Sequence, residues 1–235
     1  PMITLAADTS TVTASCAVAE DGKVLSELSI QYGKTHSQKI LPMLKNVLAM
    51  LDKTFQDVDL FSVTTGPGSF TGLRIGAVTI KGLAYALQKP VCGIPTLDVL
   101  AYAMPDFKGI IVPMLDARNN QVYASLYRKK NNQLDQISPV AGVHIDRLIE
   151  QMQNTGEDIM MTGDAVPLHI QKIKNILGGK IIEAQSVLSF PRASCCALMA
   201  ERAYYENKAV SAFELKPVYY RKSQAERMKE LSGRG

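Results

Sequence analysis

At 235 residues and 46% hydrophobic content, the chain is long enough for one large domain or two of about 110 residues, with a real core. Its net charge of +4 is mild and uneven: residues 214–235 hold six Lys or Arg against three Glu, which supplies +3, so a nearly neutral body carries a basic tail. Four cysteines without a C-x-x-C spacing argue against a disulfide framework, and no uncharged apolar run reaches the roughly 18 residues of a membrane span, so a cytoplasmic protein with no membrane contact is expected.

Residues 3–7 form an apolar strand that ends at Asp8. A second strand is predicted near 14–19, a turn at Glu20-Asp21-Gly22-Lys23, and a third strand near 24–31. Residues 37–51 read as a helix with apolar Ile40, Leu41, Met43, Leu44, Val47, Leu48, Ala49, Met50 and Leu51, and a narrow polar stripe of Gln38, Lys39, Lys45 and Asn46. A helix packed on one side of a sheet needs roughly a 100° apolar arc, and this one is wider. After a buried strand over 60–65 comes Gly66-Pro67-Gly68-Ser69-Phe70-Thr71-Gly72-Leu73-Arg74-Ile75-Gly76. Its glycines around Pro67 allow a tight turn, Ser69 caps the helix predicted over 70–87, and Gly72, Gly76, Ala77 and Ala84 leave room for a neighbouring backbone. That helix carries only Arg74 and Lys81 as charges. Two readings fit the paired helices: burial within a large core, or one side in the core and the other against a partner, giving a four-helix interface.

The second half repeats the plan. Residues 110–115 form a strand ending at Asp116, followed by a turn at Arg118-Asn119-Asn120, a strand over 121–127, a turn at 129–132 and a strand over 134–137. Helices over 145–152, 167–176 and 193–205 alternate with strands over 159–162 and 180–183, while residues 90–105 hold the crossover between halves. Three strands followed by alternating helix and strand, given twice, describe a duplicated α/β fold with a mixed sheet and flanking helices in each lobe. The predicted division is an N-terminal lobe over 1–105, a C-terminal lobe over 106–216 and a basic tail over 217–235.

A strand ending in a carboxylate and running into a hairpin, once per duplicate, resembles the actin-like (ribonuclease H-like) fold of actin, sugar kinases and heat-shock-70 ATPases. The resemblance implies that the two hairpins clasp nucleotide phosphates between the lobes, where glycine lets backbone N–H groups come close. Here Asp8-Thr9-Ser10-Thr11 and Asp116-Ala117-Arg118-Asn119-Asn120 contain no glycine. Asp8, Thr9, Ser10, Asp116, Arg118 and, in Thr162-Gly163-Asp164, Gly163 therefore read as a vestigial nucleotide site. A free-standing actin-like phosphotransferase or ATPase is the alternative.

Several segments resemble the TsaB (YeaZ) family over nearly the whole chain: Ala7-Asp8-Thr9-Ser10, His36-Ser37-Gln38 with Ile40-Leu41-Pro42, the run over 66–76, Ile94-Pro95-Thr96-Leu97, Leu115-Asp116-Ala117-Arg118 with Gln121-Val122-Tyr123, and Pro217-Val218-Tyr219-Tyr220-Arg221. The resemblance implies an accessory subunit without a complete active site, which pairs with its paralogue TsaD for threonylcarbamoyl transfer to the adenosine 3′ of the tRNA anticodon. It implies further that the ATPase TsaE joins the pair, that the chain alone forms homodimers, that tRNA is met through the complex, and that ATP or ADP binds in the assembly while the isolated chain holds no cofactor firmly. The partner surface it implies is the two-helix region, with His36, Ile40, Leu41, Leu44, Leu48, Phe70, Leu73, Arg74, Ala77 and Ile80. The three histidines, His36, His144 and His169, lack the His-x-x-x-His spacing that puts two imidazoles on one helical face, so neither a metal nor peptidase chemistry is expected.

Overall fold

The computed structural model describes residues 1–31 and 36–220. The first half runs β1 (Ile3–Asp8), β2 (Ala14–Glu20), β3 (Lys23–Ile30), α1 (His36–Ala49), β4 (Leu60–Thr64), α2 (Phe70–Leu87), β5 (Val91–Ile94) and α3 (Thr96–Tyr102). The second runs β6 (Ile110–Asp116), β7 (Gln121–Ala124), β8 (Tyr127–Lys130), β9 (Gln133–Gln136), β10 (Ala141–His144), α4 (Ile145–Thr155), β11 (Ile159–Thr162), α5 (Val166–Leu177), β12 (Ile181–Glu183) and α6 (Ala193–Tyr205). The side chain of His36 and the basic residues beyond Tyr220 lie outside the described residues.

Each half builds one mixed sheet, in the orders β3-β2-β1-β4-β5 and β10-β7-β6-β11-β12. In both, the first strand pairs antiparallel with its hairpin partner and parallel with the strand that follows a helix, which is the duplicated actin-like layout. β1 and β4 are buried along their whole length because helices cover both faces, and their sequences are correspondingly apolar without alternation.

The structure departs from the sequence-based elements at several places, among them β10, which the sequence reading lacked, and β8, which runs into the turn predicted over 129–132. The strand predicted over 121–127 is broken at Ser125 and Leu126, where the Ser125 hydroxyl donates to the Ser138 carbonyl and Leu126 N donates to the Ser138 hydroxyl. The chain needs that break because β7 and β8 both pair with β6, at its carboxyl end and near Ile111 respectively. The crossover predicted over 90–105 holds β5 and α3.

Chain order and packing order diverge at two helices. α3 packs on the second sheet, with Leu97, Leu100 and Met104 against Ile111, Leu115 and Tyr127. α6 returns to the first sheet, with Ala193, Cys196, Ala197 and Ala200 against Ala6, Ala17, Ala19 and Leu60. The small residues on both sides let α6 approach β1 and β2 closely, and the exchanged helices bind the halves into one body.

α6 is also tied to β3. Glu27 accepts from Arg192 Nε at 3.1 Å and from its Nη2, and its other oxygen accepts from Ser194 N at 3.1 Å and the Ser194 hydroxyl at 2.7 Å. Burial alone would raise this carboxyl, but the Arg192 and Ser194 hydrogen bonds hold it below the usual glutamate range. A lowered folded-state pKa means that its contribution is fully present above the unfolded value of about 4.3 and is lost as pH falls through the folded value. Glu27→Ala is expected to cost about 2–3 kcal/mol at pH 7 and progressively less below pH 4, as read by urea unfolding across pH. A loss independent of pH would reject the charged network.

Candidate functional site

The first hairpin is closed by the chain's own backbone. Asp8 Oδ1 accepts from the Ser10 hydroxyl at 2.6 Å, from Ser10 N at 3.3 Å and from the Thr64 hydroxyl at 2.5 Å, which draws the loop back onto the end of β4. The Thr9 hydroxyl donates to the Gly72 carbonyl at 2.7 Å, and Ser69 N donates to the Ser10 carbonyl at 2.7 Å. Ser69 also caps α2 by accepting from Gly72 N.

This contact explains the glycine-rich run. A Cβ on Gly72 would stand 1.9 Å from the Thr9 carbonyl oxygen, one on Gly68 2.4 Å from the Ser10 carbonyl oxygen, and one on Gly76 2.5 Å from Thr9 Oγ1. The run is therefore a packing surface that presses the start of α2 onto the hairpin, and Asp8, Thr9 and Ser10 are at most 1% exposed.

The second hairpin is open. Arg118, Asn119 and Asn120 are consecutively left-handed, with φ of 62°, 54° and 56°, a conformation the two asparagines tolerate better than most residues. Exposed Asp116 accepts from Arg118 N at 2.7 Å, and Asp116 N donates to Asp164 Oδ1 at 2.9 Å. Burial, and secondarily the Asp116 charge, raise the Asp164 carboxyl above its usual range. Gly163 is at φ 108°, and a Cβ there would meet the Met114 carbonyl oxygen at 2.1 Å. Asp116, Arg118 and Gly163 thus converge at the carboxyl ends of β6 and β11, whereas Asp8, Thr9 and Ser10 are sealed. Asp164, two residues beyond β11, was missed by sequence reasoning, although a carboxylate at the carboxyl end of a strand was the signal already used for Asp8 and Asp116.

Two cavities lie away from the hairpins. One of about 650 Å³ sits where α2 ends, lined by Tyr85, Lys89, Pro90, Val210 and Phe213 among others. Another of about 540 Å³ lies among β5, α3, β9 and α6. Among the described residues, no group of three or more His, Cys, Asp or Glu is arranged to hold a metal ion.

The helix residues predicted for a partner surface separate into two sets. Ile40, Leu44, Leu48, Leu73, Ala77 and Ile80 are at most 3% exposed, packed between the helices and the first sheet, so their side chains cannot meet a partner directly. Leu41 is 47% exposed, Phe70 is half-buried and Arg74 is exposed. The outward face of α2 is instead Thr71, Arg74, Val78, Gly82 and Tyr85, with Val78 69% and Tyr85 61% exposed, and Met50 stands exposed just beyond α1. The three- and four-residue spacing from Arg74 to Tyr85 was the available signal, masked because nearly every position of this helix is apolar or small.

Arg74 is held within the chain. Its guanidinium lies 4.2 Å from the Phe70 ring centroid and 6.0 Å from that of Tyr219, and its Nε donates to the Tyr219 hydroxyl at 3.4 Å. Tyr219 thus lies against the start of α2.

The family described as TsaD, tRNA N6-adenosine threonylcarbamoyltransferase, matches residues 23–229. The tRNA threonylcarbamoyladenosine biosynthesis protein TsaB of Bacillus subtilis is 33% identical, covering 96% of each chain. Its counterpart from Haemophilus influenzae is 31% identical over 98% of this chain and 97% of its own. A solved Pseudomonas aeruginosa structure, of a protein described as similar to peptidase YeaZ, superposes with a TM-score of 0.82 at 26% identity, covering 94% of this chain and all of that one.

Proposed function

Because this chain belongs to the TsaB family of tRNA threonylcarbamoyladenosine biosynthesis proteins, we propose that it serves that modification as a non-catalytic partner of the transferase TsaD. The observation that carries this reading is the closed first hairpin. A phosphate-clasping hairpin must present backbone N–H groups to an open cleft, and here the start of α2 fills that space down to the Thr9 carbonyl. With the first hairpin sealed, the half-site of Asp116, Arg118, Gly163 and Asp164 is left without the second phosphate clasp of the actin-like plan, so the isolated chain is expected to bind ATP weakly or not at all.

The exposed face of α2, with Leu41 and Met50 from the α1 side, is the surface on which we place TsaD. The same face serves self-association when TsaD is absent, TsaE joins the assembled pair, and tRNA and ATP or ADP are met in that assembly. Within the complex the chain acts by fixing its partner's geometry, with no proton or group transfer of its own. No described helix is long and apolar enough to cross a membrane, and a cytoplasmic site of action fits the pathway.

The decisive experiment measures threonylcarbamoyl transfer to tRNA by TsaD and TsaE with and without this chain, alongside ATP turnover by the chain alone. Modification that depends on the chain, with no intrinsic turnover, is expected. Stoichiometric ATP turnover by the isolated chain would establish the phosphotransferase reading instead.

A further inference from the structure

The chain that follows α6 returns across the first lobe. Val210 and Val91 exchange backbone hydrogen bonds at 2.9 and 3.0 Å, so the strap extends the outer edge of β5. Ala212 and Leu215 then enter the first-lobe core, and Lys81 Nζ donates to the Leu215 carbonyl at 2.9 Å. Val218 N donates to the Thr65 carbonyl at 2.7 Å, and a Cβ on Gly66 would come within 2.6 Å of the Val218 carbonyl oxygen. The glycine that opens the run over 66–76 is therefore shaped to the strap as well as to the turn.

Beyond that anchor, two consecutive rings take hold of different lobes. Tyr219 lies 4.7 Å from Phe70 on the first turn of α2, where Arg74 also holds it. Tyr220 lies 6.1 Å from Tyr123 on β7 of the second lobe. Burial and the nearby Asp98 carboxylate raise the Tyr220 hydroxyl, and Asp98 itself accepts from the Tyr127 hydroxyl at 2.6 Å. Tyr220 therefore reaches the junction where α3 meets the second sheet.

We propose that Tyr219 and Tyr220 form a clamp that couples the first turn of α2 to β7, so that loosening either grip is felt in the other lobe. Two adjacent residues share one short backbone that is already pinned at Val218, which leaves little slack between the grips. β7 carries one side of the open hairpin over 116–121, and the start of α2 seals the closed one, so the clamp links the two hairpins across the lobes. This inference does not depend on the proposed pathway role, because its test uses the chain alone.

The test is amide hydrogen exchange on the full chain and on Tyr219→Ala and Tyr220→Ala. Tyr219 touches the first lobe, yet its replacement is expected to speed exchange in β7 about tenfold as well as in the first turn of α2, and Tyr220→Ala, which releases the second lobe, is expected to speed exchange in the first turn of α2 by a similar factor as well as in β7. Tyr205→Ala, an exposed aromatic outside the strap, serves as the control that moves neither segment. Acceleration confined to the lobe that each ring touches overturns the coupling. So does uniform acceleration in every strand, which would make the strap a contributor to global stability only.

Discussion

Gly72→Ala is expected to lower stability by about 3 kcal/mol and Tm by roughly 6–12 °C, whereas Gly82→Ala in the same helix is expected to raise stability by about 0.5–1 kcal/mol. Intrinsic helix propensity favours alanine at both positions. What differs is the surroundings: a Cβ at Gly72 would sit 1.9 Å from a backbone carbonyl oxygen that is itself fixed in the hairpin, while at Gly82 nothing lies within 4 Å. Because the obstacle is backbone, relief requires moving the start of α2 away from Asp8, Thr9 and Ser10, and the Thr9 to Gly72 hydrogen bond would be lost with it. Thermal and urea unfolding of the two variants provides the measurement. Shifts of the same sign in both would show that the run over 66–76 does not seal the hairpin by close packing.

Val78→Asp is expected to leave Tm within about 2 °C of the parent while weakening association with a TsaD-type partner, and with a second copy of the chain, by at least about tenfold. Val78 is 69% exposed in the centre of the outward face of α2, so a carboxylate there is solvated in the monomer and becomes costly only when a partner covers it. Leu44→Asp provides the contrast. Leu44 is wholly buried between α1 and the first sheet, and an unpaired charge there should unfold the chain before any question of association arises. Sedimentation and calorimetric titration against the purified partner distinguish the two. Undiminished binding by Val78→Asp would place the partner surface away from α2.

Much of the fold was legible because periodicity and punctuation agree over long stretches. The helix over 70–87 matches α2 residue for residue, and Ser69 caps it as its position suggested, since the cap and the turn glycines are local features. The strands that end in Asp8 and Asp116 were equally readable from apolar runs closed by a carboxylate. The split between β7 and β8 was not, because it answers to two partners competing for one edge of β6, and nothing within 121–130 records the position of β6.

The outward face of α2 shows the same division. Sequence established that α1 and α2 carry more apolar surface than one sheet contact uses, but both helices are apolar on nearly every side, so composition could not say which side faces out. The direction was decided by where the glycines of α2 had to go: Gly72 and Gly76 must meet the hairpin carbonyl and hydroxyl of Thr9, and that contact turns Val78 and Tyr85 to solvent. The sequence by itself thus determined the duplicated α/β plan, the ends of α2 and α6 and the family, all of which rest on contacts between near neighbours or on patterns repeated along the chain. Only the tertiary structure decided that the first hairpin is sealed, that α3 and α6 exchange sheets and that Tyr219 and Tyr220 grip different lobes. Each of these joins residues far apart in the chain, and the free energy that selects such contacts belongs to the packed pair rather than to either segment alone.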